Sequence, residues 1–234
     1  MDTPKYKRIL LKLSGEALSE ADGGILDFDF IAEIGKVVKK CIDAGVEIGI
    51  VVGGGNIWRG RHGMDSNKSR SDHMGMLATV INGLALQTGF ESLGIKTVVQ
   101  TSFEIKPMAE TYQNAKALEY LSEKTVVIFS GGTGCPYFST DTAAALRAAE
   151  IKADVMLMAK NIDGIYTADP KKDPTATRYE RLSYSEILEK GLNAIDSTAA
   201  AFGRDNKIPA FVFKLTPDNI YEAVMGRANG TIIE

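Results

Sequence analysis

The chain has little cysteine, little histidine and no strong excess of either charge. Its 234 residues include two cysteines, Cys41 and Cys135, and two histidines, His62 and His73. Two cysteines do not build a disulfide framework, and they suit a reduced, cytoplasmic setting. His62 and His73 lack metal-ligand spacing and read as surface or helix residues, so no protein metal ligand is assigned. With 27 Lys and Arg against 30 Asp and Glu, the net charge of −3 leaves no concentrated basic face for nucleic acid. The first apolar run is interrupted by Lys12, and no run reaches membrane length. No signal-cleavage pattern follows the charged residues 1–8, and no internal repeat or linker is evident. A soluble cytoplasmic protein is expected, without a nucleic-acid or membrane partner.

The remaining composition, 44% hydrophobic and 24% charged, is that of a globular protein. Apolar runs over 9–14, 46–52, 96–100, 125–130, 154–158 and 210–214 read as strands, with 231–233 closing a sheet edge. Helical periodicity covers 28–44, 72–93, 108–123, 141–150, 183–190, 196–206 and 218–225. Asp72 is placed as the cap of the second of these, whose apolar residues are Met74, Leu77, Val80, Ile81, Leu84 and Leu86. Strands alternating with helices predict an α/β fold with a mostly parallel central sheet covered on both faces. The span 1–234 reads as one domain. A turn-rich stretch from Asn161 through Pro174, including Lys171, divides a part of about 1–158 from a part of about 159–234.

Three strand ends carry loops suited to phosphate: Lys12-Leu13-Ser14-Gly15, then Gly53-Gly54-Gly55-Asn56-Ile57-Trp58-Arg59-Gly60, then the stretch from Gly131 through Cys135 to Asp141. Each is read as a strand-to-helix turn, which aims backbone N–H groups and a helix dipole at one spot. Glycines let the backbone turn with positive φ and approach a ligand closely. None of the three is a P-loop. The only Gly-Lys pair, Gly35-Lys36, lies inside a predicted helix and is followed by Val37. The dinucleotide fingerprint fails as well, since its last glycine would be Trp58 or Tyr137.

The side chains in these loops have two readings each. Lys12 either snorkels from its strand or bridges phosphates. Asp141 and Asp72 are either helix caps or site residues, and for Asp196 capping is the favoured of the same two readings. Trp58 stacks on a base or packs beneath its loop, and Cys135 is read as a small packing residue. Three such loops together suggest a long polyphosphate or two phosphorylated ligands.

The ordered set of motifs resembles the bacterial uridylate kinases of the amino acid kinase family. It comprises Lys-Leu-Ser-Gly at 12–15, Gly-Gly-Gly-Asn at 53–56, Asp-His-Met-Gly-Met-Leu-Ala-Thr at 72–79, Pro-Tyr-Phe-Ser-Thr-Asp at 136–141 and Asp-Gly-Ile-Tyr-Thr-Ala-Asp-Pro at 163–170. The chain departs at Cys135, where Asn is common, and at Lys160, where some members carry Thr.

The resemblance implies the reaction ATP + UMP → ADP + UDP with Mg2+, in a cytoplasmic homohexamer of pyrimidine nucleotide biosynthesis, activated by GTP and inhibited by UTP. Lys12 would carry catalysis, with Asp141 as its organiser. Lys12, Leu13, Ser14, Gly15, Gly55 and Arg59 would contact ATP phosphates, with Lys160, Tyr166 and Asp169 at the adenosine end. Gly54, Asp72, Thr133, Gly134, Cys135, Pro136, Tyr137, Phe138, Ser139 and Thr140 would hold UMP. The N-terminal part would then supply the acceptor site and the C-terminal part the ATP site, and residues 20–24 would lie at a regulatory loop. A kinase for a carboxylate and a non-catalytic nucleotide or oxyanion storage protein remain as alternatives on the same fold. The acceptor phosphate is already anionic near neutral pH, so no Ser/His/Asp arrangement is called for.

Overall fold

The computed structural model describes residues 3–59, 67–170, 172–192 and 194–234. Gly60, His62 and Lys171 lie outside the described residues, as does the start of the charged N-terminal stretch. The strands are β1 (Arg8–Leu13), β2 (Glu47–Val52), β3 (Thr97–Thr101), β4 (Glu110–Thr111), β5 (Val126–Ser130), β6 (Val155–Lys160), β7 (Arg181–Leu182), β8 (Ala210–Lys214) and β9 (Gly230–Ile233). The α-helices are α1 (Phe28–Asp43), α2 (Lys68–Ser92), α3 (Asn114–Ser122), α4 (Thr140–Glu150), α5 (Tyr184–Glu189), α6 (Ser197–Asp205) and α7 (Pro217–Val224). A short 3-10 turn, Gly15–Leu18, follows β1.

The strands form one sheet in the order β4-β3-β5-β2-β1-β6-β8-β9-β7, parallel throughout except for the β8–β9 pair. Strand side chains alternate between faces, so residue parity assigns each to a layer. Ile9, Leu11 and Leu13 enter one apolar cluster, together with Ile48, Ile50, Ile128 and Leu157. Leu10 enters the other, with Val51, Phe129, Met156 and Met158. Burial on both sides explains why these strands read as continuous apolar runs. The same parity places Lys12 and Lys160 at the carboxyl ends of the rows Leu10–Lys12 and Met156–Met158–Lys160, on one face. Helix α4 covers that face with Ala144, Ala145 and Ala148.

Several boundaries differ from the sequence reading. Helix α2 starts four residues before Asp72 and is capped by Asn67, whose side chain accepts the Arg70 N–H at 3.0 Å. Its Met74, Leu77 and Ile81 are 42%, 47% and 48% exposed, so half of the apolar stripe faces outward. Helix α3 begins at Asn114 rather than near 108, because Glu110–Thr111 pairs with β3 instead. Strand β6 runs two residues beyond Met158 and so takes in Lys160.

Candidate functional site

Parallel strands β1, β2, β5 and β6 end on the same edge of the sheet, and their loops meet there. A Cβ on Gly15 would lie 2.4 Å from the Gly53 carbonyl oxygen, and one on Gly53 would lie 3.1 Å from the Gly15 nitrogen and 3.7 Å from Thr140 Oγ1. The first loop therefore touches the second, and the second touches the start of α4. Close approach, not backbone handedness, accounts for Gly53 and Gly54: none of Gly53, Gly54 and Gly55 has a positive φ, and a Cβ on Gly55 would meet only the flexible Glu16 side chain. In the third loop the requirement is conformational, with φ at 82° for Gly131 and 89° for Gly134.

Only the third loop opens an α-helix directly. The first enters a single 3-10 turn, and the second curls back when Ile57 and Trp58 both donate to the Gly54 carbonyl. The helix dipole thus acts mainly through α4, whose N-cap is Ser139 and not Asp141.

At the junction, Lys12 Nζ lies 2.9 Å from Asp141 Oδ1 and Lys160 Nζ lies 2.9 Å from Oδ2. Lys12 is 8% exposed and Asp141 9%, which rules out a snorkelling lysine. An unpaired charge at that depth costs several kcal/mol, so the three groups hold one another in place. Burial pushes the Asp141 carboxyl up, yet Lys12 and Lys160 outweigh it and hold the group below the ordinary carboxylate range. Lys160 is held below the ordinary lysine value by burial, against the pull of Asp141, with Lys12 pushing the same way. Two cations around one anion leave a net positive charge aimed at the loop junction.

On one side of this centre lies a cleft of about 150 Å3 between the third loop and α2. Of the predicted acceptor residues, Gly54, Asp72, Thr133, Cys135, Phe138, Ser139 and Thr140 line it, and so does Gly55, expected instead at ATP. Asp72 Oδ2 accepts the Tyr137 N–H at 2.7 Å and pairs with Lys68 at 2.9 Å. Burial raises the Asp72 carboxyl, but the Lys68 and Tyr137 bonds bring it net below its usual value. Tyr137, at φ 70° and 66% exposed, and Phe138, at 51%, stand at the rim. Gly134 lines a neighbouring hollow with His73 and Phe103. The Ser139 hydroxyl is engaged by the Asp141 and Thr142 N–H groups. Trp58 is half-buried, lines the cleft and donates to Ser71 Oγ at 3.1 Å. Cys135 is exposed, contrary to its reading as a packing residue.

Farther along the chain, Ile162, Tyr166, Asp169 and Leu192 line a second cavity of about 390 Å3. Tyr166 donates to Asp163 at 2.8 Å, and Arg178 pairs with Asp163 at 3.0 Å, which with the isolated Tyr166–Arg178 bridge ties the two arms of this turn-rich stretch together. Lys160 sits with Lys12 instead of in this cavity. Leu13 is buried in the core, its carbonyl accepting the Gly53 N–H. Arg59 is anchored at the junction by Glu16 at 3.0 Å and by the Gly55 carbonyl at 3.2 Å.

Residues without a loop motif also build the site. Asn82, fully buried in α2, donates to the Gly53 carbonyl and to Asn56 Oδ1, both at 2.7 Å. Thr79 accepts the Gly131 N–H at 2.7 Å. A polar pair inside an apolar helical stretch was the available signal. Among the described residues no three His, Cys, Asp or Glu gather in a metal-binding group, and no helix is long and apolar enough to cross a membrane.

A profile of the amino acid kinase family matches residues 7–214. The fold is similar to that of a UMP kinase from Bacillus anthracis, with 34% identity, a TM-score of 0.94, and 98% of this chain and 96% of that one covered. It is similar as well to a UMP kinase from Ureaplasma parvum, with 36% identity, a TM-score of 0.92, and 98% and 99% of the two chains covered. A uridylate kinase from Archaeoglobus fulgidus matches with 33% identity, a TM-score of 0.73, and coverage of 97% and 99%.

Proposed function

The chain belongs to the amino acid kinase family, and we propose that it is a uridylate kinase, transferring the γ-phosphoryl group of ATP in line to UMP. One observation carries the reading: a buried aspartate holds two lysine ammonium groups where three strand-end loops meet, next to a cleft lined by the second and third loops. UMP occupies the cleft against α2 and ATP the cavity beside Tyr166, so their phosphates meet at Lys12 and Lys160. The single sheet supports treating 1–234 as one unit, with about 1–158 giving the acceptor side and about 159–234 the nucleotide side.

The acceptor oxygen needs no general base, since a phosphate monoester is largely ionised at pH 7. Catalysis then consists of alignment and of neutralising charge on the transferring group. Lys12 and Lys160 supply that charge without reorganising, because Asp141 fixes both. The N-terminus of α4 adds amide dipoles from the same side. Asp72 orients the acceptor loop through the Tyr137 amide. Magnesium would arrive on the triphosphate and supply further positive charge there. The Asp141 carboxylate at the junction, kept ionised between two lysines, is the oxygen donor type that would face it.

The wider properties rest on likeness and on a few local features. The outward stripe Met74, Leu77 and Ile81 supports assembly, read as a homohexamer and tested by mass in solution. GTP activation, UTP inhibition, a cytoplasmic setting and a place in pyrimidine and CTP biosynthesis complete the reading. Assays of ADP release with UMP, CMP, aspartate and acetylglutamate test the function. Acceleration by UMP above the others supports it. A carboxylate preference favours the carboxylate kinase, and no acceleration by any acceptor favours a storage protein.

A further inference from the structure

Asp196 stands at the start of α6, where its carboxylate accepts the Ala199 N–H at 3.0 Å as a helix cap. Capping accounts for only part of its bonding. The same carboxylate accepts the Ser139 hydroxyl, and the Thr142 hydroxyl at 3.1 Å, both from the first turn of α4. Ser139 in turn accepts the Asp141 and Thr142 N–H groups at 3.0 and 3.1 Å, so its single proton is committed to Asp196. One half-buried carboxylate therefore fastens two helix N-termini, one over the acceptor cleft and one beside the nucleotide side of the sheet. Between them lies Asp141, which grips Lys12 and Lys160.

We propose that Asp196 is a positioning residue for phosphoryl transfer, locking the α4 N-terminus so that Asp141 presents both lysines in the reactive arrangement. The proposal rests on the uridylate kinase reading of that centre. A small displacement matters here, since a shift of about 1 Å in a reacting group costs about a hundredfold in rate. Its negative charge acts in the same direction, favouring the charged form of Lys160.

Asp196→Asn separates positioning from capping. Asparagine caps a helix about as well as aspartate, so a residue that only capped α6 would tolerate the change. Its amide NH2, however, cannot accept the Ser139 proton, and its charge is gone. With ATP and UMP saturating, kcat of Asp196→Asn should fall about tenfold to a hundredfold, while both KM values stay within about threefold. Its Tm should stay within about 4 °C of the parent. An unchanged kcat, or a loss confined to KM, overturns the proposal.

Thr142→Val removes one hydroxyl donor at nearly constant shape, and its kcat should fall about threefold to tenfold. Should Asp196→Asn fail to fold, this variant decides, and a kcat within about twofold of the parent overturns the proposal. Asp141→Asn serves as the control. If it too keeps full activity, the phosphoryl-transfer reading of the centre fails. If it is inactive while the Asp196 and Thr142 variants are normal, only the positioning role fails.

Discussion

The buried lysine–aspartate centre and the exposed Tyr137–Phe138 rim, proposed above as the phosphoryl centre and the acceptor rim, lie a few residues apart and are built in opposite ways. Lys12, Asp141 and Lys160 project from the ends of regular elements and are largely buried, every charge having a partner within 2.9 Å. Tyr137 and Phe138 sit on a loop, more than half exposed, with Tyr137 in a left-handed conformation steadied by Asp72. Rigid burial suits a charge array that must not reorganise during the reaction. An exposed loop suits a surface that admits one nucleotide and releases another. Substitutions in the centre should therefore act on kcat and those at the rim on KM.

The largest effect expected is at Lys12. Removing a preorganised charge contact costs about 2.7–4 kcal/mol of barrier, so Lys12→Ala should lose about a hundredfold to a thousandfold in kcat. Asp141→Asn should approach that loss, because two lysines would be left facing one another without an anion. Steady-state kinetics with both substrates saturating checks each.

Next comes pH. On the proposed mechanism the charged form of Lys160 is the active one, and its titration is displaced downward chiefly by burial. Activity is then complete well below that titration and disappears as pH rises through it, at values under the usual lysine range. A kcat–pH profile read beside circular dichroism should show the alkaline limb without parallel unfolding. Persistence of full activity up to the ordinary lysine pKa of about 10.4 would count against Lys160.

At the rim, Asp72→Asn should raise the KM for UMP about tenfold, with kcat within about threefold. The variant keeps its size but loses the charge that binds Lys68 and the Tyr137 amide. A fall in kcat alone would erase the division between the two regions. Arg59→Ala should be the mildest. Its guanidinium is exposed and paired with Glu16 on the surface, and such pairs contribute about 0.2–1 kcal/mol. A KM for ATP raised by about fivefold or less is expected, and a large loss of kcat would move Arg59 into the centre.

Much of the centre was legible because it follows strand parity and strand-end glycines. Local pattern was enough to pick out Lys12, Asp141 and the three loops as candidates, though it left the two side chains with two readings each, and the parallel sheet followed from alternating elements. Lys160 was misplaced because the sixth strand was ended at Met158, which hid that Met156, Met158 and Lys160 share a face. Asp196 stayed ambiguous, and Asn82 was not singled out, for a different reason. Their partners, Ser139 and Thr142 for one and Gly53 and Asn56 for the other, lie 26 to 57 residues away in sequence. No local pattern encodes contacts of that separation. For the triple glycine the sequence offered a left-handed turn and close approach, and the structure shows crowding instead, by Gly15 at Gly53 and by α2 at Gly54, with no positive φ.

Transfer of a labelled γ-phosphate from ATP to UMP, compared between the parent protein and Lys12→Ala, tests the central claim most directly. Labelled UDP should form rapidly with the parent and at least about a hundredfold more slowly with the variant. Rates within tenfold of each other, or no labelled UDP from the parent at all, would contradict the account.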